Sequence, residues 1–237
     1  AVRSIVELLQ ELRRNLAASI LENPTAFELW RLTDLQQSVE QQIALFQAKA
    51  TGALSRSLSD AATIGIDMVD RPIIAAGISA GFNQITPQVA NIAADFSAML
   101  VKGISDDLRR GIDTQLRLAA LGRQSPFVTM NKITDTMGIK SYDGIWGTRR
   151  RPDVVKGVAA RAEAITRTEL TRMMNLAHQS RAEQVADSVP GLKKRWIATG
   201  DKRTRPAHLQ IHYETMRKPI LVSEPFIVGG EKMMIPG

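Results

Sequence analysis

Apolar residues recur every three or four positions through most of the N-terminal half of this chain, and no other feature limits its fold as strongly. Leu8, Leu12, Leu16 and Ile20 form the first such run. Leu32, Leu35, Val39, Ile43, Phe46, Ala50, Leu54 and Leu58 form the second; Ile92, Phe96, Leu100, Ile104, Leu108, Ile112, Leu116 and Ala119 form the third. That period matches the helical turn, so each run predicts an amphipathic helix with one apolar stripe. A single helix cannot hide such a stripe. The three must pack on one another, on another copy or on a partner.

The helix boundaries are also written locally. Asn23-Pro24 ends the first helix, because the residue before proline disfavours helical geometry. Thr25, with Glu28 three residues later, suits a capping box at the start of the second. Pro87 suits the first turn of the third, and Gly122 its C-terminal stop. Between the second and third runs, Gly65, Gly77 and Gly81 interrupt an Ala/Ile stretch around Arg71-Pro72. Small residues there allow close backbone approach, and a kink or hinge is expected near Pro72. Residues 64–82 are the most membrane-like stretch, but Asp67, Asp70, Arg71 and Pro72 are costly in lipid, so a buried or interfacial segment is expected. The amphipathic, charged start of the chain does not read as a signal peptide.

Aromatic residues make up only 5% of the 237-residue chain, so the core must rest on aliphatic side chains and Met. Cysteine is absent, which excludes disulfides and thiolate metal sites within the chain and fits a reducing compartment. Charge is unevenly placed. Residues 1–148 carry 14 basic and 15 acidic side chains, and residues 149–237 carry 17 and 9. The positive excess of the second part favours a polyanion such as double-stranded DNA, or an acidic protein surface. The candidate DNA contacts are Arg149, Arg150, Arg151, Lys193, Lys194, Arg195, Lys202 and Arg203.

Residues 123–151 lose the helical period and read as a loop-rich basic connector, in which Tyr142 and Trp146 either stack on bases or anchor the loop. Asp153 can cap a further helix running to about Asp187. Residues 193–199 read as a strand, with Trp196 and Ala198 on the face opposite Ile197, and Gly200-Asp201 as the turn out of it. Residues 206–212 suggest a short helix. Residues 219–222 and 226–228 suggest strands, with Gly229-Gly230 as a tight turn. The expected fold class is therefore mainly α with a smaller α+β C-terminal domain, divided as 1–122, 123–151 and 152–237. Met173-Met174 and Met233-Met234 read as adaptable apolar filling.

Arg167-Thr168-Glu169, Asn175, Trp196, Asp201, Thr204-Arg205, His208, Glu224-Pro225-Phe226 and Pro236-Gly237 follow one another over residues 150–237 in an order that resembles the phage Mu F-like head morphogenesis family, the minor head proteins of tailed phages. Two departures stand out. His212-Tyr213-Glu214 occupies the place of a glycine-bearing turn, and the Cys-x-Cys element that follows Pro-Gly in many members is either absent or lies beyond Gly237. The resemblance implies a structural protein present in several copies per virion. It implies binding to the portal protein and other head proteins in the capsid interior, proximity to packaged DNA, and assembly in the host cytoplasm.

The residues themselves suggest a structural polar cluster of Arg167, Thr168, Glu169, Asp201, Thr204, Arg205 and His208. Glu169 lies mid-helix and calls for a guanidinium partner, Arg203 or Arg205. Asp201 can accept from the N–H groups of Arg203 and Thr204 in an Asx-turn. His208 can donate to a carbonyl or to Glu169. The competing reading is chemical: Asp, His and Glu together can hold a divalent ion or serve a nuclease or other hydrolase. His208 and His212 share a helix face, but Leu209, Gln210 and Ile211 between them do not make a zinc-protease motif. Phosphate-loop, dinucleotide and Gly-x-Ser-x-Gly signatures are missing, so no catalytic residue, metal ligand or cofactor is assigned and no enzyme activity is expected.

Overall fold

The computed structural model describes residues 2–21, 32–78, 87–122, 124–138, 157–202 and 204–236. Among the described residues the chain is mainly α-helical with four short strands near its C-terminus, the fold class expected from sequence. Its helices are α1 (Val2–Leu21), α2 (Leu32–Ala75), α3 (Pro87–Ala120), α4 (Pro126–Met137), α5 (Val158–Ser188) and α6 (Pro206–Arg217). The strands are β1 (Lys193–Lys194), β2 (Ile220–Leu221), β3 (Phe226–Val228) and β4 (Glu231–Met233). No described helix is long and apolar enough to cross a membrane.

Two compact units emerge, and neither is continuous in sequence. One comprises Ala1–Ser57 and Ala94–Arg167; the other comprises Leu58–Ala93 and Thr168–Gly237. This division differs from the sequential boundaries at 122 and 151, because three long helices, α2, α3 and α5, each contribute residues to both units.

The first unit is a helical assembly closed by the apolar stripes. Ile5, Leu9, Leu12 and Leu16 of α1 are buried, as are Leu35, Val39, Ile43, Phe46, Ala50 and Leu54 of α2. Val101, Ile104, Leu108, Ile112, Leu116 and Ala119 supply the stripe of α3. Each fully buried aliphatic side chain contributes about 1.5–3 kcal/mol. Polar pairs flank this core. Asn15 donates to Gln42 at 3.0 Å, Lys49 pairs with Glu11 at 2.6 Å, and Arg109 pairs with Glu40 at 2.8 Å. Arg161 of α5 reaches Asp107 of α3, and Gln36 of α2 reaches Asp113.

Helix α4 corrects the loop-rich reading of residues 123–151 over residues 126–137, and residues 139–151 lie outside the described residues. Its start is capped by the Ser125 hydroxyl, which accepts from the Val128 N–H, and Pro126 occupies its first turn. Gly138 closes it in a left-handed conformation, φ 71°. Met130, Ile133 and Met137 are buried, and the helix lies against α1. Thr25, Glu28, Tyr142, Trp146 and Asp153 lie outside the described residues.

Ser105 on α3 is fully buried, and its hydroxyl is the one buried side-chain polar atom without a partner among the described residues. An unpaired buried hydroxyl costs about 1–3 kcal/mol. Ser105→Ala is therefore expected to raise the thermal midpoint by about 2–4 °C, read by calorimetry. A lower midpoint would show that the hydroxyl is satisfied.

In the second unit α2 runs on through Pro72 to Ala75. The helix ends a few residues beyond that proline, and Gly77 follows at φ 73°. Val69, Ala182, Val185 and Val222 form one apolar cluster, and Trp196, Ile211, Phe226 and Val228 form another. β1 pairs antiparallel with β2, and β3 with β4. Gly229 and Gly230, both at positive φ, make the tight turn of the β3–β4 hairpin.

Candidate functional site

The C-terminal module is arranged around residues 193–199. The expected alternation of a strand is present: Lys194 and Trp196 are buried, while Lys193, Arg195 and Ile197 are exposed. Ladder pairing is confined to Lys193 and Lys194. Beyond them the strand partner is replaced by side chains of α6. The Trp196 N–H donates to the Thr215 hydroxyl at 2.9 Å, and His212 Nδ1 lies 3.0 Å from the Trp196 carbonyl.

Several residues of the sequence pattern come together here. The Trp196 ring meets His208 edge-on at 5.4 Å and Phe226 at 5.1 Å. Asn175 of α5 donates to the Pro236 carbonyl at 3.2 Å. Glu224 accepts from the Leu221 N–H at 3.2 Å. The Thr204 hydroxyl donates to the Asp201 carboxylate at 3.1 Å, and the Thr204 N–H donates to the Asp201 carbonyl at 3.0 Å. The Thr204 N–H thus meets the Asp201 carbonyl and not its carboxylate, and Arg203, the other donor of the expected Asx-turn, lies outside the described residues.

Of the two partners expected for Glu169, Arg205 does not pair with it among the described residues, and Arg203 lies outside them. The Glu169 carboxylate, 13% exposed, is paired with Arg172 on its own helix at 3.9 Å. Arg205 instead stands exposed at the start of α6, without a side-chain cap. Arg167 pairs with Glu163 at 2.6 Å, and Thr168 is exposed on α5. His208 packs on Trp196, so its role is an aromatic contact. Arg149, Arg150, Arg151 and Arg203 lie outside the described residues.

Lys194 must be withdrawn as a DNA contact. It is 8% exposed, and its ammonium donates to Gln179 Oε1 and to the Met234 carbonyl, both at 3.2 Å. The same nitrogen sits 4.7 Å from the Phe226 ring centre. Burial lowers its pKa, with Glu183 and Glu224 opposing. Gln179 continues the network by donating to the Val222 carbonyl at 3.0 Å and to Glu183 at 2.7 Å. One buried lysine and one buried amide thus tie α5, β1, β2 and the C-terminal tail together.

Two further polar residues were missed by sequence reading. Arg181 grips Asp70 with two hydrogen bonds, Nε to Oδ1 at 2.6 Å and Nη2 to Oδ2 at 2.9 Å. The signal was present in the spacing. Met173, Ala177, Arg181 and Val185 lie four apart on one helix face, all of them buried, and a guanidinium inside an apolar stripe demands a carboxylate. His178 is the other; burial, then the Lys194 charge, lowers its pKa below the ordinary 6.5.

A depressed histidine pKa means the unfolded chain takes the proton first as pH falls. The associated stability is fully present above about 6.5 and is lost through the folded-state pKa below it. Denaturation midpoints measured from pH 7 towards pH 5 should decline, and His178→Gln should flatten that decline. Parallel curves for the two proteins would refute the assignment.

Among the described residues no three His, Cys, Asp or Glu side chains gather as a metal site. Comparison with protein-family models, curated proteins and solved structures returns no match.

Proposed function

We propose that this chain is a structural minor head protein of a tailed phage, acting in capsid assembly at the portal vertex, in several copies and near the packaged DNA. The observation carrying this reading is what the pattern residues do. Trp196, His208 and Phe226 pack on one another, Asn175 holds Pro236, and Thr204 holds Asp201. These side chains are occupied in building a module. A chain whose distinctive residues are spent on packing is suited to holding a shape for other proteins to grip.

The direct test is the protein content of purified heads from the phage whose genome encodes the chain. Mass spectrometry should find the chain in mature particles and in portal-bearing assembly intermediates. Its absence from both would count decisively against the assignment.

A second reading, as a DNA-binding module, is favoured by the exposure of Lys193, Arg195 and Lys202. Contacts of this kind release counterions, so retention on duplex DNA should fall about tenfold or more between 50 and 200 mM salt. Lys194→Met should leave the salt slope unchanged, because the Lys194 ammonium is turned inward. A slope altered by Lys194→Met as strongly as by Arg195→Ala would contradict this geometry.

A further inference from the structure

Backbone groups of successive residues in a strand point to opposite edges. Along residues 192–198 every bonded group belongs to an even-numbered residue. The Leu192 carbonyl accepts from the Val222 N–H at 3.1 Å. Lys194 stands opposite Ile220 in the ladder. The Trp196 N–H and carbonyl meet Thr215 and His212, and the Ala198 N–H lies 3.4 Å from His212 Nδ1. The N–H and carbonyl groups of Arg195, Ile197 and Thr199 face the other way and have no partner among the described residues. All three residues are exposed, Ile197 at 78%.

We propose that residues 195–199 form an open strand edge that takes up an extended acidic segment of a partner protein as an added strand. An edge of alternating donors and acceptors is completed by another extended backbone. A helix has no free backbone groups along its side to offer. A phosphate backbone can meet the donors but repels the carbonyls between them. Charge selects the class of segment. Lys193, Arg195 and Lys202 are exposed along and beside the edge, and residues 193–200 contain no acid. A second copy would bring its own Lys193 and Arg195 to the seam, where like charges oppose pairing. Ile197 offers the incoming strand an apolar contact. The inference is independent of the head-protein reading, since it rests only on this edge.

The test is amide hydrogen exchange by NMR on the full chain, with a short synthetic peptide of alternating Val and Thr carrying several Glu residues. In the free protein the amides of Arg195, Ile197 and Thr199 should exchange quickly, while those of Trp196 and Ala198 are protected. Adding the peptide should slow the three outward amides by about tenfold or more. A peptide with Lys in place of Glu should have no effect. Ile197→Pro removes an N–H that no described group uses, so it should abolish peptide binding without lowering the thermal midpoint; Arg195→Glu should weaken binding even if the proline variant proves unstable. Unchanged exchange with the Glu peptide, or equal protection by the Lys peptide, would overturn the proposal. Protection already present in the free protein and rising with protein concentration would overturn it in favour of self-pairing.

Discussion

Gly65→Ala is expected to destabilise the second unit by more than about 3 kcal/mol, beyond the usual penalty for one added methyl group. A Cβ at this position would lie 2.2 Å from the Met174 carbonyl oxygen and 3.0 Å from the His178 nitrogen. Both atoms belong to the backbone of α5, so no side chain can swing aside and the helices themselves must separate. Separation would also disturb Val69, Ala182 and Val185, which pack about one to three turns further along the same pair of helices. Gly103 provides the control, because a Cβ there meets nothing within 4 Å. Alanine at that position should stabilise α3 by about 0.5–1 kcal/mol, through its better helix propensity. Chemical denaturation of the two variants should give shifts of opposite sign. Equal stabilities would mean that α2 and α5 do not approach as closely as Gly65 allows.

Arg181→Ala should be nearly as damaging. It strands the Asp70 carboxylate, whose side chain is 24% exposed, after removing both bonds of the fork. Breaking one partner of such a pair costs about 3–5 kcal/mol, and the partial exposure of Asp70 points to the lower end. The double variant Arg181→Met with Asp70→Leu removes both charges in a largely apolar setting and should recover most of the loss. Denaturant midpoints for the unaltered protein, Arg181→Met, Asp70→Leu and the double variant form a complete cycle. Additive losses would show that the two residues act independently and that the ion pair is not what holds this part of the fold.

The helices were legible wherever the apolar stripe was long. Val2–Leu21 and Pro87–Ala120 follow directly from leucine and isoleucine at three- and four-residue spacing. Helix α4 was not read, although Ser125, Pro126 and Gly138 bracket it and Met130, Ile133 and Met137 keep the period. The glycines of residues 138–147 dominated the window and masked a helix of only 12 residues. At Arg71-Pro72 the helix runs on past the proline. A proline removes one helical hydrogen bond, and near a helix end that loss is small, so α2 continues to Ala75.

The candidate site was legible in its parts and not in its pairings. The turn at Asp201 and the strand-like alternation of residues 193–199, with Trp196 on the face opposite Ile197, follow from sequence. Which cation meets which anion does not, because Glu169 has Arg172 available on its own helix, closer along the chain than Arg205. The interior place of Lys194 was also unreadable from charge counting. A lysine in a run of three basic residues looks like surface, and only the alternation, which puts Lys194 on the same side as Trp196, turns it inward.

An assembly role makes its sharpest prediction in solution with a portal ring. When the full chain is mixed with purified portal protein from the same genome and passed over a sizing column, it should elute with the ring. Cryo-electron microscopy of that fraction should then show added density on the portal. Elution of the chain wholly as a free species across protein concentrations, with bare rings in the images, would contradict the assignment.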